Sequence, residues 1–350
     1  MTHRALSATP TLQACMPLLR GVSRSFYLSI RLMPHAVRAP IAVGYLLARA
    51  TDTVADTTVL PQTERLALLQ QLLNAIESPT GELSALSPGL AEFADRQTDP
   101  HEQALMRALP QCLALLQALP TADQAHVRGV LRPITQGQGL DVSRFGQGLN
   151  ALKTEQELTD YTWQVAGCVG EFWTEVCEQH LPGWALLPHA DLRATGRLYG
   201  MGLQRLNILR DAGADLAQGR CYLPQERLAT LGLSPGQLAQ ALQRHDADTL
   251  ARAAPLFNDY LELTQAQMLE GLHYSCALRS WRLRLASALP ALIGTRTLAL
   301  LRQAGPTAWL HRIKMPRHEI QALIWRLLWR GASPQALARE FARLSAPARP

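Results

Sequence analysis

Apolar residues recur along this chain at three- and four-residue spacing almost without pause, and Pro and Gly mark the interruptions. The pattern predicts helices over about 11 to 32, 38 to 57, 62 to 77, 101 to 118, 122 to 137, 155 to 180, 190 to 216, 235 to 243, 249 to 277, 284 to 303 and 317 to 330. Segments near 78 to 100, 139 to 153 and 217 to 234 read as loops. Alternating β-branched runs, the mark of strands, are nearly absent. No repeat appears, and no linker is long enough to divide the chain. The expected architecture is a single all-α domain over residues 1 to 350.

Composition narrows the function classes. A hydrophobic content of 47% in 350 residues is enough for a large core, and its Leu and Ala richness favours helices. The net charge of +6 suits nucleic acid, an anionic membrane surface or phosphorylated substrates alike. No basic run is interleaved with stacking aromatics, so nucleic-acid binding is not expected. Cys15, Cys112, Cys168, Cys177, Cys221 and Cys276 form no CxxC pair and no metal-ligand spacing, which reads as reduced thiols in a cytoplasmic protein. The first residues lack the apolar core of a signal peptide, and no stretch reaches the roughly 18 apolar residues of a membrane span.

Charge placed inside apolar helices carries the chemistry. "PIAVGYLLARATDTVAD" ends in Asp52 and Asp56, four residues apart on one helix face, with Arg49 one turn before the first. Asp211 and Asp215 repeat the spacing at the end of another apolar helix, beside Arg210 and following Gln204 and Asn207. Asp95 and Asp99 share the spacing too, but "FADRQTDP" is polar and reads as a solvated loop. Glu171 and Glu175 read as an ordinary helix face, with a pocket wall as the alternative. Facing carboxylate pairs suit Mg²⁺, which takes oxygen ligands and is completed by substrate phosphates; internal salt bridges with Arg49 and Arg210 are the alternative. Spacing alone leaves both open.

The blocks "SRSFYLSIRLMP" (23 to 34), "YLLARATDTVAD" (45 to 56), "YTWQVAGCVGEFW" (161 to 173) and "NILRDAGADLAQGRCYLP" (207 to 224), with "PALIGTRTLALL" (290 to 301) as a weaker fifth, resemble the squalene and phytoene synthase family of head-to-head prenyltransferases. The resemblance implies an isoprenoid synthase helical bundle with a central cavity, a catalytic core over about 15 to 305 and capping helices over about 306 to 345. It implies that Asp52, Asp56, Asp211 and Asp215 bind Mg²⁺ and through it two prenyl diphosphates. Ser23, Arg24, Tyr45 and Arg49 match family positions near a diphosphate, as do Gln204, Asn207 and Arg210, and Tyr161 matches a tyrosine near the reacting carbons. Tyr45, Tyr161, Arg49 and Arg210 are the implied catalytic groups. Gly167 and Gly170 either leave room for a substrate chain or serve close helix packing. One departure is Ala55, where many squalene synthases carry a further acidic residue.

Within the family, "GEFWTE" (170 to 175) and the basic turn "HRIKMPRHE" (311 to 319) look more like the squalene-forming branch. The expectation is a monomeric squalene synthase that joins two molecules of farnesyl diphosphate through presqualene diphosphate and reduces the product with NADPH, held by Lys314 and Arg317. The alternative is a phytoene, dehydrosqualene or presqualene diphosphate synthase that needs no reductant. The apolar segment 320 to 331, which carries arginines, reads as a cap on the domain, with a position on a bilayer surface as the alternative, and peripheral contact of the protein with the inner face of the membrane is expected for product release.

Overall fold

The computed structural model describes residues 12–79, 87–146 and 148–346, without the side chains of residues 24–26, 28, 87 and 88. Its first half holds α1 (Leu12–Val22), α2 (Arg24–Leu32), α3 (His35–Asp56), α4 (Gln62–Glu77), α5 (Ser87–Asp95), α6 (Pro100–Arg107), α7 (Leu109–Ala118) and α8 (Thr121–Phe145). A helical run then passes from α9 (Glu155–Thr162) through a π-helical turn at Trp163–Gly167 into α10 (Cys168–His180). The remainder comprises α11 (His189–Ala217), α12 (Gln225–Thr230), α13 (Pro235–Arg244), α14 (Ala247–Ala277), α15 (Trp281–Ala304), α16 (Arg317–Trp329) and α17 (Pro334–Ser345). A two-residue parallel pair, β1 (Asn150–Ala151) and β2 (Arg220–Cys221), is the only sheet among the described residues.

Two apolar cores organise these helices. One gathers the first half around α3, which is buried on nearly every side by residues such as Ile41, Leu46, Leu47 and Val54. The other lies under α11, α14 and α15, where Leu209, Met268, Leu292 and Leu298 interlock. The α8 and α10 helices pack on each other; α3 rests on α8, and α11 on α10. That layering holds the C-terminal ends of α3 and α11 on opposite walls of one cavity.

Glycines set the α10–α11 spacing. A Cβ on Gly170 would come within 1.9 Å of the Gly196 carbonyl oxygen, and one on Gly200 within 2.2 Å of the Ala166 oxygen. The two backbones therefore touch, and close packing explains Gly170. After α11 the chain reverses at Gly219, φ +79°, where a Cβ would also meet the Gly148 oxygen at 2.6 Å. This turn aligns β2 with β1 and delivers Arg220 and Tyr222 to the cavity wall.

Several expectations need correction. The helix predicted over 11 to 32 is interrupted at Ser23. The α8 helix continues to Phe145, past its expected end near 137, because Val142 packs into the core and offsets the cost of Gly137 and Gly139. The expected loops at 78 to 100 and 217 to 234 contain α5 and α12, and α17 follows the last predicted helix. The polar pair Asp95 and Asp99 is not loop: Asp95 ends α5 and pairs with Arg107 at 2.7 Å, while Asp99 caps α6 by accepting from the His101 and Glu102 amides.

The glycine contact gives a direct test. Gly170→Ala should lower stability by about 1–3 kcal/mol through the forced separation of α10 and α11. Gly129→Ala, on the open face of α8 with nothing within 4 Å, should raise it by about 0.5–1 kcal/mol. Chemical denaturation of both variants reads the contrast, and equal midpoints would refute the packing account.

Candidate active site

The cavity between α3, α8 and α11 has a volume of about 1150 Å³. Asp52 and Asp56 reach it from α3, and Asp211 and Asp215 from α11. In each helix the far side is sequestered, by Ala50 and Val54 in α3 and by Leu209 and Leu216 in α11, so burial of that apolar seam aims the carboxylates inward. Gln204, Asn207, Arg210 and Tyr161 line the same space. Two walls that are distant in sequence thus share one polar chamber.

Arginines answer the carboxylates. Arg49 joins Asp52 with one end of its guanidinium and Glu102 of α6 with the other. The Asp99 cap fixes the first turn of α6, where Glu102 lies, so the polar segment excluded as a metal site supports the site's arginine. Arg210 binds its neighbour Asp211, and Arg312 reaches the same carboxylate at 2.8 Å. Arg220 lies 3.8 Å from Asp56 and is also felt by Asp141 and Asp215. The salt-bridge alternative raised by the sequence is therefore present.

These pairings do not neutralise the chamber evenly. Burial and the neighbouring Asp56 push Asp52 up to about 6 despite Arg49, although 37% of the Asp52 side chain is still open to solvent. Asp215 is pushed up to about 7 by burial, with Asp211, Asp141 and Asp56 adding repulsion that Arg220 only partly offsets. Burial acts on Asp211 as well, but Arg210 and Arg312 outweigh it and hold that carboxyl below the usual range. One carboxylate in the second pair has two guanidiniums on it while its partner has only the field of Arg220.

The sequence missed a third acidic group. Asp141, on the part of α8 expected to be loop, accepts hydrogen bonds from Tyr222 at 2.5 Å and Tyr161 at 3.4 Å. Burial raises its carboxyl to about 6 even so. Tyr161 and Tyr222 stack with centroids 5.1 Å apart, and burial, with Asp141 close by, pushes both phenols well above their usual range. Arg65, Arg220 and Arg312 were also unassigned. Arg220 and Tyr222 stand in the quoted "GRCYLP", which was the available signal; a carboxylate one turn beyond Gly137 gave none.

Other expectations fall in different places. Tyr45 is hydrogen-bonded to Ser23 beside Arg49, and burial raises its phenol. The Arg24 side chain lies outside the described residues. Lys314 and Arg317 are exposed and do not line the chamber; Arg312 of the same turn does. Glu171 and Glu175 pair with Arg193 at 3.6 and 3.1 Å on a separate surface pocket. Gly170, Gly196 and Gly200 border an almost wholly apolar cavity of about 190 Å³ with Trp173 and Tyr274, so both readings of Gly170 meet there.

Among the described residues no three metal-binding side chains converge on one point. The aspartates nevertheless fit divalent ions that are shared with an oxygen-rich ligand, because burial and then neighbouring carboxylates disfavour the charged forms of Asp52 and Asp215 by more than the nearby arginines offset. Five arginines on the chamber wall, Arg49, Arg65, Arg210, Arg220 and Arg312, suit the phosphate oxygens of such a ligand.

The model of the squalene/phytoene synthase family matches residues 19–319. A bifunctional lycopene cyclase/phytoene synthase from Colletotrichum graminicola is 29% identical over 61% of this chain and 34% of its own length. The squalene synthase of Schizosaccharomyces pombe is 23% identical over 82% of this chain and 59% of its own. The chain thus spans less than two thirds of either relative. For the 15-cis-phytoene synthase of Synechococcus elongatus the figures are 29%, 67% and 68%. Among solved structures, TcSQS in complex with the ligand BPH1237 superposes with a TM-score of 0.74 at 21% identity, covering 95% of this chain and 89% of its own. The squalene synthase HpnC from Alicyclobacillus acidocaldarius gives 0.58 at 22%, covering 84% and 93%. These likenesses establish an isoprenoid synthase helical fold, and with the match over residues 19–319 the chain belongs to the squalene/phytoene synthase family.

Proposed function

We propose that this protein joins two molecules of farnesyl diphosphate head to head and that squalene is its product. The family is one of head-to-head prenyltransferases, so the open questions are substrate and reductant. The observation that carries the proposal is the chamber itself, where two aspartate pairs and five arginines converge beside an apolar cavity. The arrangement suits a ligand with an anionic head and a hydrocarbon tail.

Asp52, Asp56, Asp211 and Asp215 are the residues that would hold Mg²⁺, which when bound supplies positive charge to a leaving diphosphate. Arg49, Arg210 and Arg312, now held by carboxylates, can exchange those partners for diphosphate oxygens. Asp141 keeps the Tyr161 and Tyr222 phenols oriented on the chamber wall, where their oxygens and ring faces can stabilise an allylic cation. The apolar seams around the chamber exclude water that would quench it. The double bond of the second farnesyl diphosphate would attack the allylic cation left when diphosphate departs, and loss of a proton from the resulting cation to the released diphosphate closes a cyclopropane.

Lys314 and Arg317 do not fit a hydride donor bound against the chamber, because both project outside it. No reductive step is assigned to them. Support for squalene over phytoene rests on the sequence blocks, whereas that outward placement favours a reductant-free synthase as the second reading.

Three outcomes test the proposal. Asp52→Ala or Asp211→Ala should lower turnover by at least about a hundredfold with helical circular dichroism intact, whereas Asp95→Ala, which loses an exposed pair with Arg107, should be nearly silent. A fully active Asp211→Ala protein would sink the aspartate assignment.

The raised aspartates set a pH dependence. The folded, ion-free protein keeps protons on Asp52 and Asp215 that the unfolded chain has already released, so these groups cost stability as pH climbs from about 4 to about 7. Divalent ions need the ionised forms. The thermal shift given by Mg²⁺ with inorganic diphosphate should therefore grow from about pH 6 to about pH 8, and a pH-independent shift would count against those ligands.

Product analysis by mass spectrometry separates the two products. With farnesyl diphosphate and Mg²⁺ alone, the cyclopropyl diphosphate or its breakdown products should accumulate, and added NADPH should convert the output to squalene. Equal formation of dehydrosqualene, or of phytoene from geranylgeranyl diphosphate, without reductant would establish the second reading.

A further inference from the structure

Helix α16 buries Leu323 and Leu327 against α15 and α17 and turns the opposite face to water. On that face Trp329 is 92% exposed and Trp325 73%, one helical turn apart, with Leu328 at their shoulder. Large aromatic rings left this open in a folded protein mark a surface that meets something apolar. The adjoining edge is positive. Glu340 of α17 is buried and meets Arg326 at 3.0 Å, Arg343 at 2.8 Å and Arg330 at 3.7 Å, so three guanidiniums share one carboxylate. Arg330, which directly follows Trp329, and Arg343 keep about half of their side chains in solvent.

We propose that the outer face of α16 is a contact for an anionic lipid bilayer, with Trp325 and Trp329 inserted at the level of the headgroups and the Arg330–Arg343 edge set against lipid phosphates. Charge complementarity argues for this occupant. The arginine excess matches the negative surface of a bilayer, and an indole, apolar in body with a polar N–H, suits the boundary between headgroup and acyl chain. The helix lies on that surface and does not cross it, since no helix among the described residues is long and apolar enough to span a membrane. The inference rests on this face alone and holds whichever product the chamber makes.

Vesicle flotation tests it with the full chain. The protein should float with phosphatidylcholine vesicles that contain phosphatidylglycerol, weakly with phosphatidylcholine alone, and less as salt is raised. Trp325→Ser with Trp329→Ser should reduce the bound fraction about tenfold while leaving the melting temperature unchanged, because both rings already touch water. Arg330→Gln should weaken binding less and flatten the salt dependence. Sedimentation velocity without lipid should give the same species for parent and double variant. Undiminished flotation of the double variant would overturn the proposal, as would equal binding to uncharged vesicles. Self-association of the parent that the double variant abolishes would assign the face to a second copy of this chain instead.

Discussion

Carboxylates held at the ends of apolar helices are the constraint on which this structure turns. Asp52, Asp56, Asp211 and Asp215 cannot be ionised in such surroundings unless cations stand near them. The protein supplies those cations as Arg49, Arg210, Arg220 and Arg312, each carried by a different stretch of chain. Much of the surrounding fold can be understood as the means of bringing these arginines in. The α6 helix places Glu102 behind Arg49, the Gly219 turn presents Arg220, and the segment after α15 returns Arg312 to Asp211.

The compensation is deliberately incomplete in the sense that matters for binding. Asp211 has two guanidiniums, whereas Asp215 faces other carboxylates and holds its proton up to about 7. A site fully neutralised by its own arginines would gain little from an added metal ion, and one without arginines would repel a diphosphate. Here the partners can exchange. On the proposed function, ions would take the carboxylates while the guanidiniums turn to phosphate oxygens.

Rigid packing makes the exchange possible. Gly170 and Gly196 bring α10 and α11 into backbone contact, so the second aspartate helix is fixed against the layer that carries Tyr161. Asp141 ties Tyr161 to Tyr222 across a boundary between α8, α9 and β2. A buried carboxylate shared by two phenols restrains the rotation of both rings.

The all-α class, the aspartate pairs and their inward direction were legible in the sequence, because each depends on a local period of about 3.6 residues and on apolar neighbours. Tyr161, Asn207 and Arg210 were legible through the quoted blocks, and Gln204 through its place on the helix leading to the second aspartate pair. Asp141 was not: its helix continues past two glycines only because Val142 and Phe145 find partners far along the chain, Phe145 against Tyr222. The same holds for Glu102 behind Arg49, for Arg312 on Asp211, and for the outward placement of Lys314 and Arg317. Local sequence fixes which face of a helix is apolar, whereas the choice of which charges meet across the chamber belongs to helix packing, which brings together residues a hundred positions apart.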